Sequence, residues 1–339
     1  MRIAWYERTG PAREVLVVRD DAPRPRAARG EVLVRVHTSG VNPADVRRRA
    51  GWSGSGFAAG PAKRVVPHSD GAGLVEAVGE GVDPSWLGRR VWLWNAGGAS
   101  FYGHPDEGSD AGTAAEYVAL PMRYVAALPD GVSFEVGARL GAPAVTAHFL
   151  VRADGEVTGR TILVQGGTGA VGELAVQIAR HDGATVIATV GSAEKAARAR
   201  ASGAHHVIDR SREDVTEAVR RIAPRGVDRI LESEFGLNAA ADAAVIGPNG
   251  TIASYSSPTV REPVLPYYAL QRKGVTVRFV QAYILTPQHR SAATEGVSRL
   301  AADGVIRPTI AARVPLEEIA RAHELVERHE AAGNVIVAI

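Results

Sequence analysis

The residues whose spacing most plainly suggests chemistry lie in VQGGTGAVGE (164–173), where Gly167, Gly169 and Gly172 fall at G-x-G-x-x-G spacing. In a chain with 37 glycines that spacing decides little alone. Its neighbours decide it. An apolar run, TILVQ (161–165), precedes it, and AVGELAVQIARH (170–181), with helical spacing, follows. A glycine turn that leaves a strand and opens a helix is a cradle for a dinucleotide diphosphate. Unpaired backbone N–H groups and the positive end of the helix dipole face the anionic oxygens there. In this reading Gly167 makes the tight turn, Gly169 admits close backbone approach and Gly172 lets helix and strand pack.

The end of the next strand says which dinucleotide. A protein that selects an unphosphorylated ribose places Asp or Glu there, to accept from the 2′-OH. Here the strand runs out as ATVGSAEK, with Gly191 and Ser192 at the expected place of the acid and Lys195 close behind. A 2′-phosphate would meet a hydroxyl and an ammonium and no carboxylate, at about 1.5–3 kcal/mol for each charged hydrogen bond. The plain alternative for Lys195 is a solvated helix lysine, but it does not account for the missing acid. The cofactor expected is NADPH.

Two kinds of element must position these groups. Residues 1–125 read as short strands between glycine and proline: EVLVRVHTSG (31–40), GLVEAVGEG (73–81), RRVWLWNAGG (89–98) and TAAEYVAL (113–120). One helix, NPADVRRRAG (42–51), interrupts them, with Asn42 as cap and Pro43 at its first position. Strand-rich with a single short helix implies an irregular barrel. From about 130 strands and helices alternate: 161–165, 170–181, 184–190, 192–203, 205–209, 213–223, 227–233, 237–246 and 250–256. That alternation predicts a parallel sheet with helices on both faces. A strand at 275–284, two helices and a final strand NVIVAI complete the reading.

Composition narrows the partners. The 339 residues are 45% hydrophobic and 22% charged with a net charge of +2, a soluble globular pattern with no basic excess that would mark a nucleic-acid or membrane binder. Cysteine is absent, which excludes disulfides, thiolate nucleophiles and cysteine-based zinc sites. The N-terminus lacks the apolar core of a signal peptide, and no run reaches the ~20 apolar residues of a membrane span. The expected location is cytoplasmic.

Several stretches in order along the chain resemble the medium-chain dehydrogenase/reductase superfamily, in its zeta-crystallin-like NADPH:quinone oxidoreductase branch. They are SGVNPADVRRRAG (39–51), VPHSDGAGLVEAVGEGV (66–82), GTAAEYVALP (112–121), GAPAVTAHFLV (141–151), ILVQGGTGAVGELAVQIAR (162–180) and the ending AAGNVIVAI. The resemblance implies an α/β fold in which a GroES-like irregular β-barrel domain, 1–126 completed by 284–339, joins a Rossmann doubly wound parallel-sheet domain, 127–283. It implies a nicotinamide in the cleft between them and a homodimer paired through 275–284. It places Asn42 beside the nicotinamide ribose, Thr146 near the ring, and Thr168, Gly169, Ala170 and Val171 along the diphosphate. Gly191, Ser192 and Lys195 match the 2′-phosphate pocket, with Arg210 on the same side. Phe235, Tyr255 and Ser256 edge the cofactor, and Asn334 reaches the nicotinamide half.

Two departures from the family pattern matter. Arg47 stands where many relatives carry a substrate-facing tyrosine, and the cysteines of the zinc-dependent cousins are missing. His68 in PHSD is expected to be a turn or core histidine, and no metal is expected. Arg47 and Trp52 are the candidates for shaping the substrate side, with Asn42 as an orienting donor. Arg47, Arg48 and Arg49 fan around a helix, so at least one is expected to be a solvated surface charge. The polar loop GHPDEGSD (103–110) is a candidate cover.

Hydride transfer needs the acceptor carbon about 3–3.5 Å from nicotinamide C4. The nicotinamide does the chemistry while the protein orients. No residue is nominated as a catalytic acid, and that suits a quinone or activated enone, whose weakly basic product oxyanion takes its proton from solvent. The expected activity is therefore zinc-independent reduction of a small quinone or enone by NADPH. The alternatives are an enoyl-thioester or alkenal reductase, favoured by a basic entrance at Arg47–Arg49, and a non-catalytic NADPH-binding protein.

Overall fold

In the computed structural model, residues 1–52, 64–97, 111–328 and 333–339 are described. They divide into two units: Met1–Ala142, Tyr283–Asp303 and Arg307–Ile339 in the first, Pro143–Ala282 and Gly304–Ile306 in the second. The candidate cover at 103–110 lies outside the described residues.

The first unit opens with strands β1 (Ile3–Trp5) and β2 (Val17–Arg19), an antiparallel pair. Alternation in EVLVRVHTSGV then gives the 11-residue β3 (Glu31–Val41). It is followed by the helix Pro43–Ala50, which Gly51 ends in the left-handed conformation at φ 89°. β4 (Asp70–Val78), β5 (Arg90–Leu93), β6 (Tyr117–Pro121) and β7 (Val125–Ala127) follow. β3 pairs antiparallel with both β4 and β6, and β5 carries β7. The short helix Phe134–Gly137 packs against β3, β4 and β5. The division therefore falls between Ala142 and Pro143 rather than near 126: β7 and this helix hold residues 127–142 to the first unit.

In the second unit β8 (Thr161–Val164), β9 (Thr185–Val190), β10 (His206–Asp209), β11 (Val227–Glu232), β12 (Ile246–Ser254) and β13 (Thr276–Phe279) form a six-stranded sheet. Every pairing in it is parallel. The order β10-β9-β8-β11-β12-β13 is that of a doubly wound Rossmann sheet. It reverses between β8 and β11, and the crevice beyond the C-terminal strand ends at that reversal is where such sheets bind ligands. Because helices cover the sheet, its central strands are continuous apolar runs such as ILV (162–164), all buried. Leu163, Ile187, Ile230, Ile252 and Phe235 share one core with Val219 and Val245 from the helices. The expected strand 275–284 stops at Phe279: its partner β12 ends at Ser254, opposite Phe279, and Ala282–Ile284 turns as a short 3-10 helix.

The chain then returns to the first unit through the helix Pro287–Ala302, β14 (Ile310–Pro315), the helix Ile319–Glu327 and β15 (Asn334–Ala338). The final helices are thus separated by a strand the sequence reading did not contain. β14 pairs parallel with β15, which pairs antiparallel with β3, so the seven-stranded sheet runs β14-β15-β3-β4-β5-β7 with β6 on β3. Its core joins Ala4, Val41, Val46, Val335 and Val337 to Ile319 and Ala322.

Candidate functional site

The glycine turn sits between β8 and the helix Ala170–His181, as its spacing predicts. The tight turn shifts by one residue, while Gly169 and Gly172 keep the positions expected of them. Gly166, not Gly167, makes the tight turn, with φ 69°. A Cβ on Gly167 would lie 2.6 Å from the Cβ of Ala188 on β9, and one on Gly172 would lie 2.2 Å from the Gly166 carbonyl oxygen. Both close approaches require glycine. At Gly169, the residue before the helix, the nearest atom to such a Cβ is the Gly166 oxygen at 3.4 Å, so that face is open to an incoming group. The amides of Ala170, Val171 and Gly172 fall in the first helical turn, where no preceding carbonyl can take them. Thr168 is half-buried between Gly167 and Gly169.

Side chains brace the turn from behind. The Gly166 N–H donates to Thr189 Oγ1 at 3.0 Å, Thr189 Oγ1 donates to Gln165 Oε1 at 2.8 Å, and Gln165 Nε2 donates to Asp242 Oδ1 at 3.1 Å. The Gly167 N–H donates to the Thr189 carbonyl at 2.9 Å.

At the end of β9, Gly191 faces the guanidinium of Arg210: a Cβ there would stand 3.5 Å from both Nε and Nη2. Arg210 is tied to the strand end by its own N–H, which donates to the Val190 carbonyl at 3.0 Å. Ser192 caps the helix Ala193–Ala201, its Oγ accepting the Lys195 N–H at 3.3 Å. The cap uses a lone pair and leaves the O–H to donate. Lys195 is exposed on the first turn.

Among the residues expected to edge the cofactor, Phe235 has its side chain buried in the sheet core. It is 1% exposed and packs edge-on against Phe279 with ring centroids 5.6 Å apart. Its large apolar ring is worth more in that core than at a polar edge. Tyr255 and Ser256 are half-buried past the end of β12, where the Tyr255 N–H donates to the Glu232 carbonyl and the Ser256 carbonyl accepts the Phe235 N–H, both at 3.1 Å. Thr146 is buried in the first turn of the helix Val145–Arg152.

The first unit holds a buried polar network. Asn42 begins the helix Pro43–Ala50, and its N–H donates to the Asp45 carboxylate at 2.8 Å. Its side chain does not cap; Nδ2 donates to Asp70 Oδ2 at 2.7 Å and Oδ1 accepts from Arg139 Nη2 at 2.9 Å. Arg139 also donates from Nε to Asn334 Oδ1 at 3.0 Å and from Nη1 to the Val41 carbonyl at 3.2 Å. The Asn334 Nδ2 donates to the Thr309 carbonyl at 3.1 Å. Both asparagines expected beside the nicotinamide are buried and engaged at both ends of the amide.

Burial pushes the Asp45 carboxyl up to about 7, with Asp70 adding to the push. Burial likewise raises Asp70 to about 6, held there by Arg139 and its hydrogen bonds from Asn42 and Ala142. His68 is a buried turn residue at φ 74°. Its Nδ1 meets Ser39 Oγ at 2.7 Å and its Nε2 meets His323 Nε2 at 3.0 Å, and burial lowers it to about 3.

The three arginines of the helix differ from expectation, since none is a freely solvated charge. Arg49 is fully buried, donating to the Gly10 carbonyl and, at 2.9 Å, to Glu327. Arg48 donates to the Gly97 carbonyl at 2.7 Å. Arg47 is half-buried with its guanidinium 5.7 Å from the centre of the Trp52 ring. The helix therefore brings together the two substrate-side candidates, Arg47 and Trp52.

Comparison with known proteins covers the whole chain. Residues 28–130 match the alcohol dehydrogenase GroES-like domain, and residues 202–337 match the domain described as zinc-binding dehydrogenase. A quinone oxidoreductase of Pseudomonas aeruginosa is 31% identical over 99% of this chain and 99% of its own. The chain belongs to the medium-chain dehydrogenase/reductase superfamily, in its zeta-crystallin-like quinone oxidoreductase branch. A human quinone oxidoreductase is 29% identical over 98% of this chain and 95% of its own. The structure of an Escherichia coli quinone oxidoreductase complexed with NADPH superposes with a TM-score of 0.84 at 25% identity, covering all of both chains.

Within this quinone oxidoreductase branch member, the sequence reading missed the residues that hold the site rather than line it. Gly166 had a signal in the doubled glycine of QGGTG. Arg139 had one too, as a single charge within VGARLGAPAVTA. Gln165, Thr189 and His323 had none, because strand ends and helix faces from distant segments bring them to their partners.

Proposed function

We propose that this protein is a zinc-independent reductase that transfers hydride from NADPH to a quinone or an activated enone. The observation that carries the reading is the end of β9, where Gly191 replaces an acid and the Arg210 guanidinium stands against the vacant side-chain position. A carboxylate at that place would repel a 2′-phosphate, whereas a guanidinium binds one through charge-assisted hydrogen bonds. Ser192 and Lys195 lie on the same rim. The turn from Gly166 to Gly172, including Thr168, Ala170 and Val171, would hold the diphosphate on backbone amides. Thr146, Tyr255 and Ser256 are proposed to contact the remainder of the cofactor, and Arg47 and Trp52 the acceptor.

Bound NADPH supplies the hydride. The chain orients it and need not supply a strong acid, because the oxyanion of a reduced quinone is weakly basic and takes its proton from water. A zinc ion does not fit the residues that resemble a metal site. His68 is committed to Ser39 and His323, and both Asp70 oxygens accept from the Ala142 N–H, at 3.0 and 2.9 Å. The buried Arg139 charge beside Asp70 opposes a second cation, and zinc needs three or four protein ligands. The engagement of Arg48 and Arg49 leaves little of the basic entrance that a carrier-linked thioester would require.

The test is NADPH oxidation by the purified protein, with NADH in parallel, against a naphthoquinone and an α,β-unsaturated ketone. Turnover with NADPH well ahead of NADH is expected. Tight NADPH binding with no turnover on either acceptor would overturn the activity and leave a dinucleotide-binding protein.

A further inference from the structure

The point where the strand order reverses, between β8 and β11, holds two carboxyl groups that the proposed chemistry does not use. Glu232 ends β11 and Asp242 lies in the helix Phe235–Val245; both are fully buried. Glu232 is rich in donors: Oε1 accepts the Glu234 N–H, and both of its oxygens lie 3.1 Å from Asn238 Nδ2. A carboxylate so served is the charged member of the pair. Asp242 uses Oδ1 to accept Gln165 Nε2 at 3.1 Å. Its Oδ2 is buried and finds no donor, yet the side chain is within hydrogen-bonding reach of Glu232. Two acceptors meet there unless a proton lies between them. With a proton on Asp242 Oδ2, the orphaned atom becomes a donor to Glu232 and every group is satisfied. Burial and the Glu232 charge both hold Asp242 protonated.

The proton fixes the direction of a chain of hydrogen bonds. Gly166 N–H donates to Thr189, Thr189 O–H to Gln165, Gln165 N–H to Asp242 and Asp242 O–H to Glu232. Each link is a donor pointing away from the glycine turn, so the chain has one orientation and one register. It fastens the C-terminal ends of β8, β9 and β11 and the following helix to the amide of Gly166, the left-handed residue of the turn.

We propose that Asp242, as a neutral carboxylic acid, is a positioning residue for the dinucleotide: it sets the diphosphate turn through Gln165 and Thr189. This rests on the reading that the turn holds the NADPH diphosphate. Since NADPH and NADH share that group, the chain acts on both cofactors alike, unlike the Arg210 rim. An asparagine at 242 reproduces the neutral acid, with its oxygen accepting from Gln165 and its N–H donating to Glu232. A leucine does neither.

The experiment is calorimetric titration of NADPH and of NADH into the wild type, Asp242→Asn, Asp242→Leu and Thr189→Val at pH 7. Asp242→Asn should bind both cofactors within about twofold of the wild type. Asp242→Leu and Thr189→Val each break two links of the chain and should each weaken both cofactors on the order of tenfold or more. Thr189→Val keeps the shape of the strand end and serves if the leucine variant does not fold. Three results would overturn the inference: unchanged binding in Thr189→Val, an Asp242→Asn variant that binds no better than the leucine, or a loss confined to NADPH. Failure of the wild type to bind either dinucleotide would instead overturn the cofactor reading and the inference with it.

Discussion

Gly191 concentrates the cofactor question in one missing side chain. Its replacement by aspartate would put a carboxylate within reach of the Arg210 guanidinium, since the Cβ position is already 3.5 Å from Nε and Nη2. The new acid would pair with Arg210, repel a 2′-phosphate and accept from a 2′-OH. We expect Gly191→Asp to lose about 1.5–3 kcal/mol of NADPH binding, roughly tenfold to a hundredfold in Kd, while NADH binding improves; ratios of kcat/KM for the two cofactors check this. A preference that stays with NADPH would show that Lys195 and Ser192 carry the phosphate without Arg210. The missing acid is legible in ATVGSAEK because selectivity there depends on one residue type at one strand end. The capping role of Ser192 and the burial of Phe235 are not, since each depends on what packs behind the residue.

At the scale of elements, the junction of β4, β3 and the helix Pro43–Ala50 encloses opposing titrations. Asp45 and Asp70 keep their protons to about pH 7 and 6 in the folded state, whereas the unfolded chain releases them near the ordinary aspartate value of 3.8. They therefore contribute stability that is present below about pH 4 and lost as pH rises through their folded values. His68 and His323 run the other way. Burial lowers both, so their contribution is present above about pH 6.5 and lost on acidification. Between about pH 4.5 and 6.5 the slopes oppose. Asp45→Asn removes one falling contribution, so its stability should climb with pH relative to the wild type, by about 2–3 kcal/mol over those two units. Urea unfolding midpoints at the two pH values measure it, and parallel wild-type and variant curves would refute a neutral Asp45. None of this is visible in the local sequence, where Asp45 reads only as a first-turn acid that suits a helix start. The strand–helix alternation of 161–256 is legible because parallel strands are apolar throughout and their helices are amphipathic. β14 is not, because IAARVP is rich in alanine, a weak strand former.

For the molecule as a whole, the open question is assembly. β13 stands at the end of the six-stranded order. Phe279 at its end is 71% exposed, and Tyr268 is exposed to the same extent. An edge strand with exposed aromatic residues is a template for pairing, and a second copy of this chain is the partner expected from the family. Light scattering should give twice the 35.7 kDa of the chain, and Phe279→Glu should shift the protein towards monomer; a monomeric wild type would refute the pairing. Among the described residues no helix is long and apolar enough to cross a membrane.

The pairing of β15 with β3, Val335 opposite Val41, gives the polypeptide an order of maturation. The second unit is almost one continuous stretch, so during synthesis it can collapse on its own contacts as soon as it has left the ribosome. The sheet of the first unit has to wait with the Thr38–Val41 end of β3 unpaired on one side until β15 is made, at ribosomal speeds of about 5–20 residues per second. A nascent chain would thus have its dinucleotide fold some seconds before its barrel closes, with Val41 and Gly40 as the edge that needs shelter in the meantime.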